Sequence, residues 1–293
     1  MSDPTRPVLR WHGGKWRLAP WIIAHFPAHR TYVEPFGGAA SVLLRKQRAY
    51  AEVYNDLDTQ VVNLFRVLRD PAQAPALVRA IALTPFARAE FELAFTPTDD
   101  PVESARRLVV RSFMGFGSNA HALIGAGASS TGFRSNTTRS GTTPAADWRS
   151  YPAVLPALIE RLSGVVIENR EALAVMARHD GPETLHYVDP PYLPELRGIS
   201  RAGGGMRGLY RHEMSRDDHT VMLEELKRLQ GMVVISGYPH ALYDDALPGW
   251  RRIATAARAD GARPRTEVLW LNPACYDSLD RSRAQGLLFQ AIA

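Results

Sequence analysis

Apolar and polar positions alternate in blocks along the chain. Residues 31–34 (TYVE) form a short apolar run that stops at Pro35-Phe36-Gly37-Gly38, and a helix is predicted to start within Ala39–Leu44. Residues 51–54 (AEVY) predict a second strand ending at Asn55-Asp56, after which Val61, Val62, Leu64, Phe65 and Leu68 recur at helical spacing. Strand, glycine turn, helix and strand in this order open an α/β fold with a parallel sheet. The alternation resumes after residue 150. It predicts helices at 153–162, 170–178 and 216–229, and strands at 164–168, 185–188, 232–236 and 266–271. No internal repeat interrupts it.

Between 70 and 150 the pattern is different. Short helices are predicted at 75–82, 86–94 and 102–113, and a Gly/Ser/Thr-rich stretch, 115–144, follows with six glycines. Composition alone would make this stretch a linker. It also carries Phe113, Phe116, Phe133, Arg106, Arg107, Arg111, Arg134 and Arg139 in or beside it, which reads as an inserted second domain with long functional loops. The 293 residues are 45% hydrophobic and 22% charged, a globular balance. A single cysteine, Cys275, excludes an internal disulfide framework and a Cys-cluster metal site. No apolar run is long enough to span a bilayer, and MSDPTRPVLR lacks a signal-peptide core, so the expectation is a cytoplasmic protein with no membrane partner. The formal charge is +5 and unevenly spread: residues 101–150 hold six basic and two acidic side chains. That window favours a polyanionic partner.

Three segments carry candidate chemistry. Asp189-Pro190-Pro191-Tyr192 follows an apolar strand, where open α/β sheets place their ligands. The prolines fix φ and remove two N–H donors while leaving carbonyls free, so a carboxylate, a carbonyl and an aromatic face meet, a set suited to a planar amine. Glu34-Pro35-Phe36-Gly37-Gly38 is a glycine turn after the first strand; it has neither the G-x-G-x-x-G spacing of a dinucleotide site nor the Lys-Ser/Thr of a phosphate loop. It suits a nucleoside-bearing ligand without a polyphosphate. Asp56 lies 19 residues beyond Gly37, placed either to accept from ribose hydroxyls or to cap the next helix. Trp11-His12-Gly13-Gly14-Lys15 is a turn that can present an ammonium to a carboxylate.

In their order, Trp-x-Gly-Gly-Lys, Glu-Pro-Phe-x-Gly-x-x-Ser-Val, Asn-Asp-x-Asp, a long insertion and Asp-Pro-Pro-Tyr, these segments resemble the Dam-like (class alpha) DNA N6-adenine methyltransferases over about residues 9–272. Ser236-Gly237-Tyr238 and Glu267-Val268-Leu269-Trp270 extend the fit. The resemblance implies a Rossmann-like methyltransferase fold: a mixed, mainly parallel seven-stranded sheet with an inserted, mainly helical target recognition domain. Residues 1–69 and 151–293 would form the catalytic domain and 70–150 the DNA-binding one. It implies S-adenosylmethionine as methyl donor, S-adenosylhomocysteine as product, and no metal. Trp11, Lys15, Glu34, Pro35, Phe36, Gly37, Gly38, Asp56 and Asp189 would hold the cofactor, with Lys15 at its methionine carboxylate. Asp189, Pro190, Pro191 and Tyr192 would act on the N6 amine of an adenine flipped from double-stranded DNA. Arg111, Phe116, Ser118, Asn119, Arg134 and Arg139 would meet DNA, with Phe116 either a wedge between bases or a core aromatic. The 198–208 loop would close over the cofactor or the flipped base. Two positions depart from the pattern: Ala40 stands where relatives often have glycine, and Ser236-Gly237-Tyr238 replaces Ser-Asn-Tyr/His. A monomer or a homodimer fits the resemblance. Competing readings are an N4-cytosine DNA methyltransferase, an RNA adenine methyltransferase and a non-catalytic DNA-binding protein on the same fold. Aspartate at 189, where cytosine-directed enzymes more often have serine, favours adenine.

Overall fold

The computed structural model describes residues 3–117, 132–136, 141–196, 212–258 and 264–292. Its centre is a seven-stranded sheet. The strands are β1 (Thr31–Glu34), β2 (Ala51–Asn55), β3 (Val165–Glu168), β4 (Thr184–Val188), β5 (Met232–Gly237), β6 (Arg251–Arg258) and β7 (Pro264–Leu271). Their order is β3-β2-β1-β4-β5-β7-β6, parallel except for β7, which runs antiparallel to both β5 and β6. The mixed, mainly parallel sheet matches the expected fold class. Chain order reverses direction at β1, so β2 and β4 flank it and a crevice opens beyond the carboxyl ends of these strands.

The helices are α1 (Ala19–Ile23), α2 (Thr59–Arg69), α3 (Gln73–Leu83), α4 (Arg88–Leu93), α5 (Pro101–Met114), α6 (Pro144–Ser150), α7 (Leu155–Leu162), α8 (Ala172–Arg178), α9 (Arg216–Leu226), α10 (Ala241–Ala246) and α11 (Pro273–Ile292). Apart from the helix expected at Ala39, the strand and helix predictions from periodicity hold to within a few residues. β6, α1, α6, α10 and α11 were not legible. β6 reads RRIATAAR, in which small alanines blur the alternation of a half-exposed edge strand.

The helix expected from Ala39 is corrected: residues 38–46 form turns. Gly38 and Ala40 both adopt left-handed backbone (φ +47° and +52°), which a right-handed helix cannot include. The Leu43 N–H is also diverted to the Glu34 carboxylate at 2.9 Å.

α2 buries Val61, Val62, Leu64, Phe65, Val67 and Leu68. One buried cluster runs from these residues through Leu108, Val109 and Val110 of α5 to Leu185 and Val234 of the sheet. The helices between 70 and 150 therefore pack onto the sheet's own core. The N-terminal segment is pinned to them: the Arg10 N–H donates to Ser112 Oγ (2.7 Å), and the Tyr151 hydroxyl donates to the Val8 carbonyl (2.6 Å). This anchoring carries Trp11–Lys15 across the crevice.

Candidate active site

The glycine turn is held from three sides. The Gly37 N–H donates to the Asn55 carbonyl (2.8 Å), the Asn55 side-chain amide to the Pro35 carbonyl (2.9 Å), and the Tyr54 hydroxyl to the Gly38 carbonyl (2.7 Å). A Cβ at Gly37 would lie 2.1 Å from the Tyr54 ring, and one at Gly38 would lie 2.7 Å from Trp11 Nε1. Only glycine lets the turn sit this close to both rings. Asp56 accepts from the Gly38 N–H and the Asp58 N–H, each at 2.8 Å. The cap of α2 is Asp58, which accepts from the Gln60 N–H at 2.9 Å. Of the two readings of Asp56, the helix-cap role therefore falls to its neighbour. Burial pushes the Asp56 carboxyl up to about 6.

Glu34 spends Oε2 on the Tyr32 hydroxyl (2.7 Å) and the Leu43 N–H while lining the same cavity. Burial pushes its carboxyl up to about 8, so the group is neutral at pH 7. The unfolded chain releases this proton near the ordinary carboxylate value, whereas the folded protein keeps it until about pH 8. Stability therefore falls as pH rises through that interval. Between about pH 7 and 8, above the unfolded histidine range and above Glu267 and Asp56, which burial raises to about 7 and about 6, Glu34 should account for a loss of about 1 kcal/mol per pH unit. Thermal melts of the wild type and Glu34→Gln check this: the variant should lose most of the slope in that window, and equal slopes there would refute the assignment.

Asp189 follows β4 directly. Its Oδ1 accepts from Ser236 Oγ at 3.0 Å and lies 2.9 Å from Lys15 Nζ. Ser236 Oγ is also 2.9 Å from the Tyr187 hydroxyl. Both donors converge on Oδ1, leaving Oδ2 for a ligand among the described residues. Lys15 is 4% exposed; its ammonium also reaches the Gly13 carbonyl (3.3 Å), the Tyr192 hydroxyl and Glu267 Oε1 (3.3 Å). Burial alone would lower the Lys15 pKa, but Asp189 and Glu267 hold it above its ordinary value. Burial raises Asp189 despite Lys15. Lys15 thus sits closer to the Asp-Pro-Pro-Tyr carboxylate than its place in the sequence suggested. The Tyr192 ring stacks on Tyr238 with centroids 4.4 Å apart.

These segments face one cavity of about 650 Å³, a volume suited to a nucleoside-sized ligand, with Trp11, Phe36, Gly38, Asp56, Asp189 and Tyr192 in its wall. The sequence named Glu267 and Ser236 only as parts of the family pattern; their contacts with Lys15 and Asp189 were not foreseen. Both Glu267 and Ser236 come from the far half of the sheet, and only strand order brings them here.

The expected DNA contacts divide. Arg111 is corrected: it is 2% exposed, donates to the Ala94 carbonyl and to Gln60 Oε1, and braces α5 from inside. Arg106 and Arg107 of the same basic window pair with Glu103, and Arg106 also with Glu90, so their charge is spent internally. Arg134 donates to the Phe113 carbonyl at 3.0 Å. Phe116 is 66% exposed, which excludes the core-aromatic alternative. It stands where Gly115 and Phe133 pair across two antiparallel segments. Ser118, Asn119, Arg139 and the 198–208 loop lie outside the described residues. Among those described, no acidic, histidine or cysteine group could hold a metal ion, and no helix is long and apolar enough to cross a membrane.

Residues 11–236 match the family model of the D12 class N6 adenine-specific DNA methyltransferases. The chain belongs to this D12 class family. Its similarity to individual relatives is local. It is 36% identical over 65 residues to a DNA adenine methylase of Serratia marcescens, covering 22% of this chain and 24% of that protein. It is 37% identical over 70 residues to one of Vibrio cholerae serotype O1, covering 24% of each. A Haemophilus influenzae DNA adenine methylase is 36% identical over 66 residues, 22% of each chain. The matched part thus spans about a quarter of the length of these relatives. The D12 match begins at Trp11 and ends at Ser236, so it takes in the glycine turn, Asp56 and Asp189 but leaves out Glu267.

Proposed function

We propose that this D12 family member transfers a methyl group from S-adenosylmethionine to N6 of an adenine flipped out of double-stranded DNA. The observation that carries the reading is the shared cavity: Asp189-Pro190-Pro191-Tyr192 faces the Gly37-Gly38 turn and Asp56 across it. The glycine turn leaves room for a nucleoside against the backbone, and Asp56 supplies acceptors for ribose hydroxyls. Trp11 closes the side wall, and Lys15, with its ammonium on Asp189, Glu267 and Tyr192, holds the Asp-Pro-Pro-Tyr carboxylate in place instead of meeting the methionine carboxylate. When bound, the cofactor supplies an electrophilic methyl on a sulfonium.

The chain's own residues prepare the amine. Asp189 Oδ2 and the Pro190 carbonyl accept the two N6 hydrogens. The nitrogen lone pair then points along the line of attack, and the carboxylate stabilises the positive charge that develops there. Tyr192, its hydroxyl held by Lys15, offers its ring to the base. Residues 70–150 serve as the DNA-reading part, with Phe116 exposed at its edge. Phosphate contacts then fall to arginines other than the internally paired Arg106, Arg107 and Arg111.

Incubation with duplex DNA and labelled S-adenosylmethionine, followed by nucleoside mass analysis, tests the reading. N6-methyladenine is the expected product. N4-methylcytosine alone, or preferential labelling of RNA, would overturn it.

A further inference from the structure

Glu267 stands in the middle of β7 with 2% exposure. Burying a carboxylate there serves no packing purpose, since an apolar residue would fill the position at lower cost. β7 pairs with β5 so that Val268 faces Gly237, which sets Glu267 beside the end of β5 and behind Lys15. Lys15 Nζ then lies 2.9 Å from Asp189 Oδ1 and 3.3 Å from Glu267 Oε1, a single cation bridging two buried carboxylates. Glu267 Oε1 makes no well-formed hydrogen bond. One ammonium neutralises one carboxylate, so the site has room for one more proton.

Methyl transfer makes such a proton. The N6 lone pair forms the bond to the methyl carbon as the carbon–sulfur pair returns to sulfur, leaving N6 cationic with a hydrogen to lose. Asp189 is the nearest base, and its far side is closed by Ser236 and Lys15. We infer that Glu267 takes up this proton through Lys15: Asp189 accepts it from N6 at Oδ2, a turn of the carboxyl about Cβ–Cγ brings that oxygen to Nζ, and Nζ takes the proton as it gives one of its own to Glu267. Lys15 remains an ammonium throughout, Asp189 ends ionised as it began, and Glu267 ends neutral. Glu267 touches no reacting atom and acts as a positioning residue for the proton. The inference rests on the methyltransferase reading above.

The groups facing Glu267 are Lys15 from the N-terminal segment, Tyr187 of β4, Asp189 and Tyr192 beyond it, and Tyr238 beyond β5. Arg265 shares its strand, and Thr255 lies opposite on β6. Burial raises the Glu267 carboxyl to about 7, with Lys15 opposing, which suits a group that gains and loses a proton in each cycle.

The test compares the full-length wild type with Glu267→Gln and Glu267→Asp in single-turnover methyl transfer across pH 6–9. The wild-type rate should rise through about pH 7 as Glu267 ionises. Glu267→Gln should lose that limb and run about tenfold or more slower at the plateau, with cofactor affinity and melting temperature close to wild type. Glu267→Asp should restore part of the limb. A Gln variant that keeps the wild-type limb and rate overturns the inference, as does one whose slowing follows lost cofactor affinity or stability. Infrared difference titration supplies a readout apart from turnover. Glu34 and Asp56, raised to about 8 and about 6, give bands of their own in both proteins, so the readout is the wild-type minus Glu267→Gln difference: it should contain one protonated-carboxyl band that disappears near pH 7, and its absence overturns the inference. A wild type that methylates no adenine fails at the earlier reading, and the band then reports on Glu267 by itself.

Discussion

Asp189→Ala should cut methyl transfer by about a thousandfold or more, the scale expected when a preorganised group facing transition-state charge is removed. Cofactor affinity should stay within about twofold. The asymmetry follows from the placement of the residue. Asp189 stands at the amine end of the cavity, while the turn that would cradle the nucleoside is fixed by Asn55, Tyr54 and Asp56 on the other side of β1. The substitution leaves Lys15 paired with Glu267 and Tyr192, so no buried cation is stranded and the fold should persist. Single-turnover labelling paired with a cofactor titration measures both quantities. A variant within tenfold of wild type would remove Asp189 from the chemistry. Loss of cofactor binding in step with turnover would place it instead in the cofactor site.

Much of this site was legible because its parts are local. Glu34 to Gly38, Asp56 and Asp189 to Tyr192 each close a short apolar strand, and a parallel sheet sends such ends to one side. Strand spacing also gave most of the core, as in α2, where every apolar position singled out is buried. What could not be read depended on pairing between distant segments. Ser236 and Glu267 reach Asp189 and Lys15 because β5 lies beside β4 and β7 beside β5, an order that periodicity does not encode. The basic window at 101–150 misled for a related reason. Arg106 and Arg107 meet Glu103 one helical turn away, an i, i+3 and i, i+4 pairing visible in sequence but easily lost in a charge sum, and Arg111 turns inward. Ala40 shows that a departure from a family pattern need not change the backbone: the alanine adopts the left-handed conformation that glycine would take more readily.

Gly37→Ala should be the most damaging single methyl group that can be added to this site. The new Cβ would lie 2.1 Å from one carbon of the Tyr54 ring and 2.5 Å from another, well inside contact distance. Neither side can yield cheaply. Gly37 is tied to Asn55 through its N–H, and Tyr54 is fully buried against Phe65 with its hydroxyl on the Gly38 carbonyl. The strain should reach the upper part of the usual overpacking range, about 3 kcal/mol, and lower the melting temperature accordingly. Because any relief pushes the turn into the cavity that Asp56 and Trp11 share, cofactor affinity should fall by at least tenfold even in the folded fraction. The source of the strain can be isolated with Tyr54→Ala, which removes the clashing ring at the cost of a cavity of its own. Together the two substitutions should be less destabilising than the sum of the singles, since the added methyl then enters space the ring has vacated. Strict additivity would show that the clash with Tyr54 is not the source of the damage, and that the packing of Tyr54 against the turn does not determine the shape of the cofactor site.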